Sequence, residues 1–144
     1  MIKFLIMKRF EQFPHTADIG MRVFGKDLKE LFENAALSMF DIIADLEGLK
    51  ASITQDIELT AADYEELLVA WLDELLYNFY TKSIIFSRFE VTELSDKKIK
   101  AKAYGRPVGE NRNRLKSEIK SATYSDLKIK KTDEGYQVEI IFDV

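Results

Sequence analysis

From Leu28 onward the apolar positions fall three and four residues apart: Leu28, Leu31, Phe32, Ala35, Ala36, Met39, Phe40 and Ile43. That spacing lines one face of an α-helix. Asp27 stands just ahead of the stripe and Glu30 follows three residues later, a capping-box pattern that satisfies free N–H groups of the first turn. Gly48 marks the exit. A denser stripe of Leu67, Leu68, Trp71, Leu72, Leu75, Leu76 and Phe79 follows Asp63 and Glu66, so a second capped helix is predicted, with Asp73 and Glu74 on its solvated side. Elsewhere the period drops to two. Phe10 to Phe13, Ile19 to Phe24, Ser52 to Leu59, Ile85 to Leu94, Lys98 to Gly105, Ala122 to Lys131 and Gln137 to Phe142 read as strands. Gly105 to Glu118, with Pro107, Gly109 and a polar run, reads as a surface loop.

Two helices bracketed by strands predict an α+β fold, a single domain over residues 1–144 with two main helices packed on one face of a largely antiparallel or mixed β-sheet. With 144 residues and 47% hydrophobic content, one well-packed core is expected. The apolar opening Met1 to Ile6 is interrupted by Lys3 and lacks a cleavage-site pattern, so neither a signal peptide nor a membrane span is expected. Met7 offers an alternative start, with residues 1–7 as an extension. The absence of cysteine excludes a disulfide framework, thiolate zinc sites, iron–sulfur clusters and cysteine nucleophiles, and a cytoplasmic protein is expected.

Net charge is −4, but it is unevenly placed. Between Lys97 and Lys131 stand 12 basic residues against 3 acidic ones, leaving 9 against 22 in the remainder. Such a distribution predicts either one basic surface on an acidic body, suited to RNA or an acidic protein patch, or solvated lysines along strand edges. Arg112, Arg114, Lys116 and Lys120, with Tyr124 nearby, are the candidates for holding phosphate and stacking a base.

The only histidine, His15, lies in Phe13-Pro14-His15-Thr16-Ala17-Asp18-Ile19-Gly20. An imidazole titrating near neutrality beside a carboxylate suits acid/base chemistry and equally suits a structural hydrogen bond. At the other terminus an apolar strand ends in Phe142-Asp143-Val144, with a side-chain carboxylate followed by the α-carboxylate. Oxygen donors from Asp18, Asp143 and Val144 would select a hard divalent cation. Taken alone, the two aspartates are read rather as a turn cap and a strand end in solvent.

Taken in order, these segments resemble the archease family. His15-Thr16-Ala17-Asp18-Ile19-Gly20 is similar to its N-terminal signature, Leu31-Phe32-Glu33-Asn34-Ala35-Ala36 to its first helix, and Leu67 through Leu76 to its second. Gly109-Glu110, Glu118-Ile119-Lys120-Ser121-Ala122-Thr123-Tyr124 and Phe142-Asp143-Val144 resemble its C-terminal half. The likeness covers the chain from Lys8 onward. It implies a small, non-catalytic activator of an RtcB-type RNA ligase, which joins tRNA exon halves or broken RNAs through a guanylylated histidine. Such a protein promotes ligase guanylylation and multiple turnover and broadens nucleotide use. The resemblance further implies a cation site at Asp18 and Asp143 with Val144 contributing; His15 is expected nearby, Ca2+ ahead of Mg2+ or Mn2+, and from the basic segment Arg112 and Lys120 are expected as contacts to the partner or to RNA. Arg112-Asn113 and Ser125 depart from positions where the family often carries histidine. The alternatives are a chaperone-like or RNA-binding accessory module for enzymes such as tRNA methyltransferases and, more remotely, a metal-dependent hydrolase using His15 and Asp18.

Overall fold

The computed structural model of the chain describes residues 8–123 and 126–144. Met1 to Ile6, the alternative start at Met7, Tyr124 and Ser125 lie outside the described residues. The element order is β1 (Phe10–His15), β2 (Asp18–Gly25), α1 (Leu28–Ile43), β3 (Ile53–Thr60), α2 (Tyr64–Lys82), β4 (Ile84–Leu94), β5 (Lys98–Pro107), a 3-10 helix (Gly109–Arg114), β6 (Ser121–Ala122), β7 (Lys130–Thr132) and β8 (Gly135–Asp143). No helix among the described residues is long and apolar enough to cross a membrane.

The α+β class, the two long helices and the antiparallel pairing agree with expectation, but the strands divide into two sheets instead of one. One runs β1-β2-β8-β6 with β7 also on β8; the other runs β3-β5-β4. The division arises because β4, leaving α2, turns back through β5 onto β3, while the C-terminal β8 pairs with β2 at the opposite end of the chain. Helix α1 packs on both sheets, touching β2 and β4, and α2 reaches α1, β4 and β6. One contiguous cluster of buried side chains results. Phe40 sits within it, its ring 6.1 Å from Phe79, 5.6 Å from Phe86 and 5.8 Å from Phe89. Trp71 is fully buried and donates its Nε1–H to the Phe32 carbonyl at 3.0 Å, so its one polar atom is satisfied.

Both predicted caps form. The Asp27 carboxylate accepts from the Glu30 N–H and the Asp63 carboxylate from the Glu66 N–H, each at 2.8 Å. The Glu30 side chain reaches one residue further back than a capping box requires, to the Lys26 N–H at 2.9 Å. Glu65 serves at a distance instead, accepting from the Ile129 N–H at 3.1 Å and tying the loop before β7 to α2. Helix α1 ends at Ile43, short of Gly48, because Arg114 and Lys116 take over its exit. Arg114 donates to the Asp45 and Glu47 carbonyls and the Lys116 N–H to the Ile43 carbonyl. The expected loop from Gly105 to Glu118 is more ordered than its composition predicts, with β5 running to Pro107 and a 3-10 helix beyond it. Of the expected strand from Ala122 to Lys131, the described residues form two short pieces, β6 and β7.

Candidate functional site

The segment around His15 is a β-hairpin whose two-residue tip is Thr16-Ala17, with His15 and Asp18 facing each other as the last pair of β1 and β2. Ala17 occupies the left-handed region at φ 61°. The His15 Nδ1 stands 3.9 Å from the Asp18 Oδ2, close enough for ionic attraction when protonated but too far for a hydrogen bond. His15 is 46% exposed and Asp18 29%.

On its other side β2 pairs with β8, Ile19 opposite Phe142 and Gly20 opposite Ile141. Continuing that register by one residue sets Asp18 opposite Asp143. Strand β6 flanks β8 in turn, with Ser121 opposite Asp143, and the Lys120 N–H donates to the Asp143 carbonyl at 2.7 Å. His15, Asp18, Asp143 and Ser121 therefore form one cross-strand row on the face turned away from the core, since opposed residues in antiparallel strands project to the same side. Directly opposed Cβ atoms lie about 5 Å apart, within the span of one cation bound at about 2.3–2.6 Å from each carboxylate. Like charges opposed across a ladder repel. Among the described residues no lysine or arginine pairs with either aspartate.

Two rows along, Arg22 fastens the three strands that carry the site. Its guanidinium bonds Glu11 of β1 at 2.8 Å and Glu139 of β8 at 2.7 Å, and lies 5.2 Å from the Phe13 ring centre. Lys8 and Arg22 together hold the Glu11 carboxyl below its ordinary range. Between the clamp and the aspartates, the Phe13 ring lies over Gly20, where any Cβ would collide with it. Glycine is required there for the ring to lie flat across β2.

The predicted partner contacts separate. Arg112 lines a cleft of about 320 Å³ at the end of α2, whereas Lys120 adjoins the aspartate row through its backbone. Arg114, grouped with them by sequence, is tied to carbonyls of the loop after α1. Asp73 is exposed, as its place off the apolar stripe predicts, and desolvation raises its pKa while the backbone N–H of Ala122 in β6 opposes the rise. Glu74 is half-buried and accepts from the Asn78 amide at 3.1 Å. Sequence reasoning missed Arg22, Ser121, Tyr77 and Tyr80. The two tyrosines carried a signal, being aromatic residues off the apolar stripe of α2 and one turn apart.

The basic stretch does not form one surface. Lys98, Lys100 and Lys102 project from β5 between acidic neighbours on β3 and β4. Lys102 meets Asp56 at 2.8 Å, Lys98 meets Glu58 at 3.3 Å and Lys100 meets Glu93 at 3.4 Å.

The two aspartates and Val144 fit a hard divalent cation, because all three are oxygen donors and the carboxylates oppose each other without a cationic side chain between them. A group of three or more His, Cys, Asp or Glu side chains that could hold a metal does not occur among the described residues. His15, Asp18 and Asp143 are therefore not brought together as a three-side-chain metal group.

Comparison with known proteins places the chain as follows. Residues 10–144 match the model of the Archease protein family (MTH1598/TM1083). The chain is 39% identical to the protein archease of Methanosarcina acetivorans over 141 residues, covering 95% of this chain and 97% of that one. It is 37% identical to the protein archease of Pyrococcus abyssi over 142 residues, covering 96% and 100%. Among solved structures, protein 1598 of Methanobacterium thermoautotrophicum superposes with a TM-score of 0.81 at 34% identity, covering 96% of this chain and all of that one. A Thermotoga maritima structure described as an archease and possible chaperone shares the fold with a TM-score of 0.66 at 18% identity, over 96% of this chain and 98% of that one.

Proposed function

The chain belongs to the archease family, and from that premise we propose that it is a non-catalytic activator of an RtcB-type RNA ligase in tRNA splicing and RNA repair. It promotes guanylylation and multiple turnover of the ligase and broadens its nucleotide use. It does so through a divalent cation, Ca2+ ahead of Mg2+ or Mn2+, held by Asp18, Asp143 and Val144 with His15 beside them. The observation that supports this reading is the β2–β8 register, which pairs Ile19 with Phe142 and, continued by one residue, brings Asp18 opposite Asp143. Guanylylation uses a metal-bound triphosphate, so a carboxylate pair with open cation positions suits placing or exchanging that metal at the ligase. In this reading His15 stands beside Asp18, and Lys120, whose N–H meets the Asp143 carbonyl, lies on the approach of a phosphate-bearing partner.

The test is single-turnover guanylylation of a purified RtcB-type ligase with GTP and metal, with and without this protein. Asp18→Ala and Asp143→Ala each abolish the stimulation and weaken Ca2+ binding by about tenfold or more in calorimetry. Their circular dichroism spectra stay unchanged, because both side chains lie outside the core. Full stimulation by both variants would sink the cation role. No stimulation by the unaltered protein would favour the second reading, a chaperone-like accessory of RNA-processing enzymes, to which the exposed apolar residues at the end of α2 lend support.

A further inference from the structure

Large apolar side chains more than a third exposed are few among the described residues: Tyr77, Tyr80, Leu115 and Val144. Two of these four, Tyr80 and Leu115, line one cleft. Tyr77 and Tyr80 stand one turn apart on α2, hence on the same side of the helix, and Leu115 follows the 3-10 helix to face Tyr80 across the cleft. Its floor is Phe79 and Val108, each under a tenth exposed, and its rim carries Arg112 and Lys116. Neither cation has an ion-pair partner among the described residues. Glu118 borders the Tyr80 flank. Burial first, and Glu118's charge besides, keep the Tyr80 phenol above its ordinary range.

We propose that this cleft docks a protein partner by receiving an aromatic or large apolar side chain that is flanked in the partner by carboxylates. Its volume of about 320 Å³ suits one such anchor. A tyrosine at a small apolar pocket, Tyr80, with Arg112 at the rim, matches the composition of protein-binding hot spots. Charge complementarity specifies the flanks: Arg112 and Lys116 meet carboxylates and steer their approach.

RNA fits less well. Binding a nucleic-acid backbone calls for a continuous basic track, and the nearest lysine-rich strand is neutralised by Asp56, Glu58 and Glu93. The Tyr80 ring is also poorly placed as a stacking platform. It meets Phe79 edge-on, with centroids 4.9 Å apart, and its hydroxyl is tied to the Ile119 carbonyl at 2.8 Å. The cleft is separate from the aspartate row, and the inference stands without the ligase or the cation.

The experiment is an NMR titration of the full-length 15N-labelled protein with a blocked synthetic peptide, Glu-Asp-Phe-Glu-Asp, its Phe-to-Ala counterpart, and a ten-residue oligouridylate. The phenylalanine peptide is expected to give saturable shifts at the amides of Tyr80, Leu115 and Lys116. The alanine peptide should bind about tenfold more weakly. Leu115→Glu and Arg112→Glu should each weaken binding by a similar factor while leaving the amides of Asp18 and Asp143 in place. If Leu115→Glu loses its dispersed spectrum, Leu115→Ala replaces it with the same expectation. No saturable shift up to millimolar peptide, equal binding by the alanine peptide, unaltered binding by both variants, or stronger shifts of these residues by oligouridylate would each overturn the proposal.

Discussion

Ala17 holds a backbone conformation that L-residues avoid, and it does so at the tip of the hairpin between His15 and Asp18. The left-handed region costs an ordinary residue about 1–2 kcal/mol, partly offset in a comparison with glycine by the greater freedom glycine loses on folding. Ala17→Gly is therefore expected to stabilise the protein by about 0.5–1 kcal/mol, read from the urea midpoint at unchanged m-value. A loss of stability would mean that the tip carries no strain to release. Strain of this kind persists only where the surroundings hold it. Here the Arg22 clamp and the Phe13 ring over Gly20 provide the hold, two rows and one row from the aspartates. The same devices keep β1 in register, and thereby keep His15 opposite Asp18.

Among the elements, α1 and β4 are joined by a half-buried acid. The Glu33 carboxylate accepts from the Val91 N–H at 2.8 Å, beside the irregularity between Val91 and Glu93 where the β4 ladder shifts register. Burial raises the Glu33 pKa, the Val91 N–H opposes the rise, and the neighbouring Asp27, Glu30 and Glu90 charges reinforce it. A carboxyl whose pKa is raised by folding binds its proton more tightly in the folded state. Its contribution to stability is present below the unfolded pKa and is lost as pH climbs through the folded value. Glu33→Gln keeps an acceptor for Val91 and removes the titration. The stability of the variant relative to the unaltered protein should grow from about pH 4 to pH 7, measured by urea unfolding at a series of pH values. A difference that stays constant across that range would show that Glu33 does not titrate differently on folding.

Across the whole molecule, charge is arranged more evenly than the chain order suggests. Strand β5 sends Lys98, Lys100 and Lys102 outward between the acids of β3 and β4, and Arg88 stacks on Tyr104 with its guanidinium carbon 3.7 Å from the ring centre. Exposed pairs of this sort contribute little to stability, so their main effect is on the field presented to partners. Replacing Lys100 and Lys102 together by glutamine is expected to leave the proposed stimulation of the ligase within about twofold, because neutralised lysines steer weakly. A large loss in the guanylylation assay would instead place the β3-β5-β4 face at the interface. The two proposals put partner contact at the aspartate row on the β1-β2-β8-β6 sheet and at the cleft at the end of α2. Residues 115–120 connect them, running from Leu115 in the cleft to Lys120 beside Asp143.

Much of this protein is determined by local pattern. The stripes of α1 and α2, their aspartate caps, most strands and the α+β class follow from spacings of two, three and four residues, because side-chain direction repeats at those intervals within one element. The family was legible as well, in the ordered motifs from His15 to Val144. Partnering between distant strands is not encoded in such periods. Only the tertiary structure divides the strands into two sheets and brings the start of β2, with Asp18, beside the end of β8, with Asp143, since the β2–β8 pairing spans more than a hundred residues. The same holds for the basic stretch. Read along the chain it is a patch, but the pleat sends alternate lysines between acidic strands, ties Arg114 to carbonyls, and leaves Arg112 and Lys116 beside a cleft assembled from α2, β5's exit and the 3-10 helix. The physical reason is common to all of these: hydrophobic period acts within an element, whereas a site is made where separate elements are packed together.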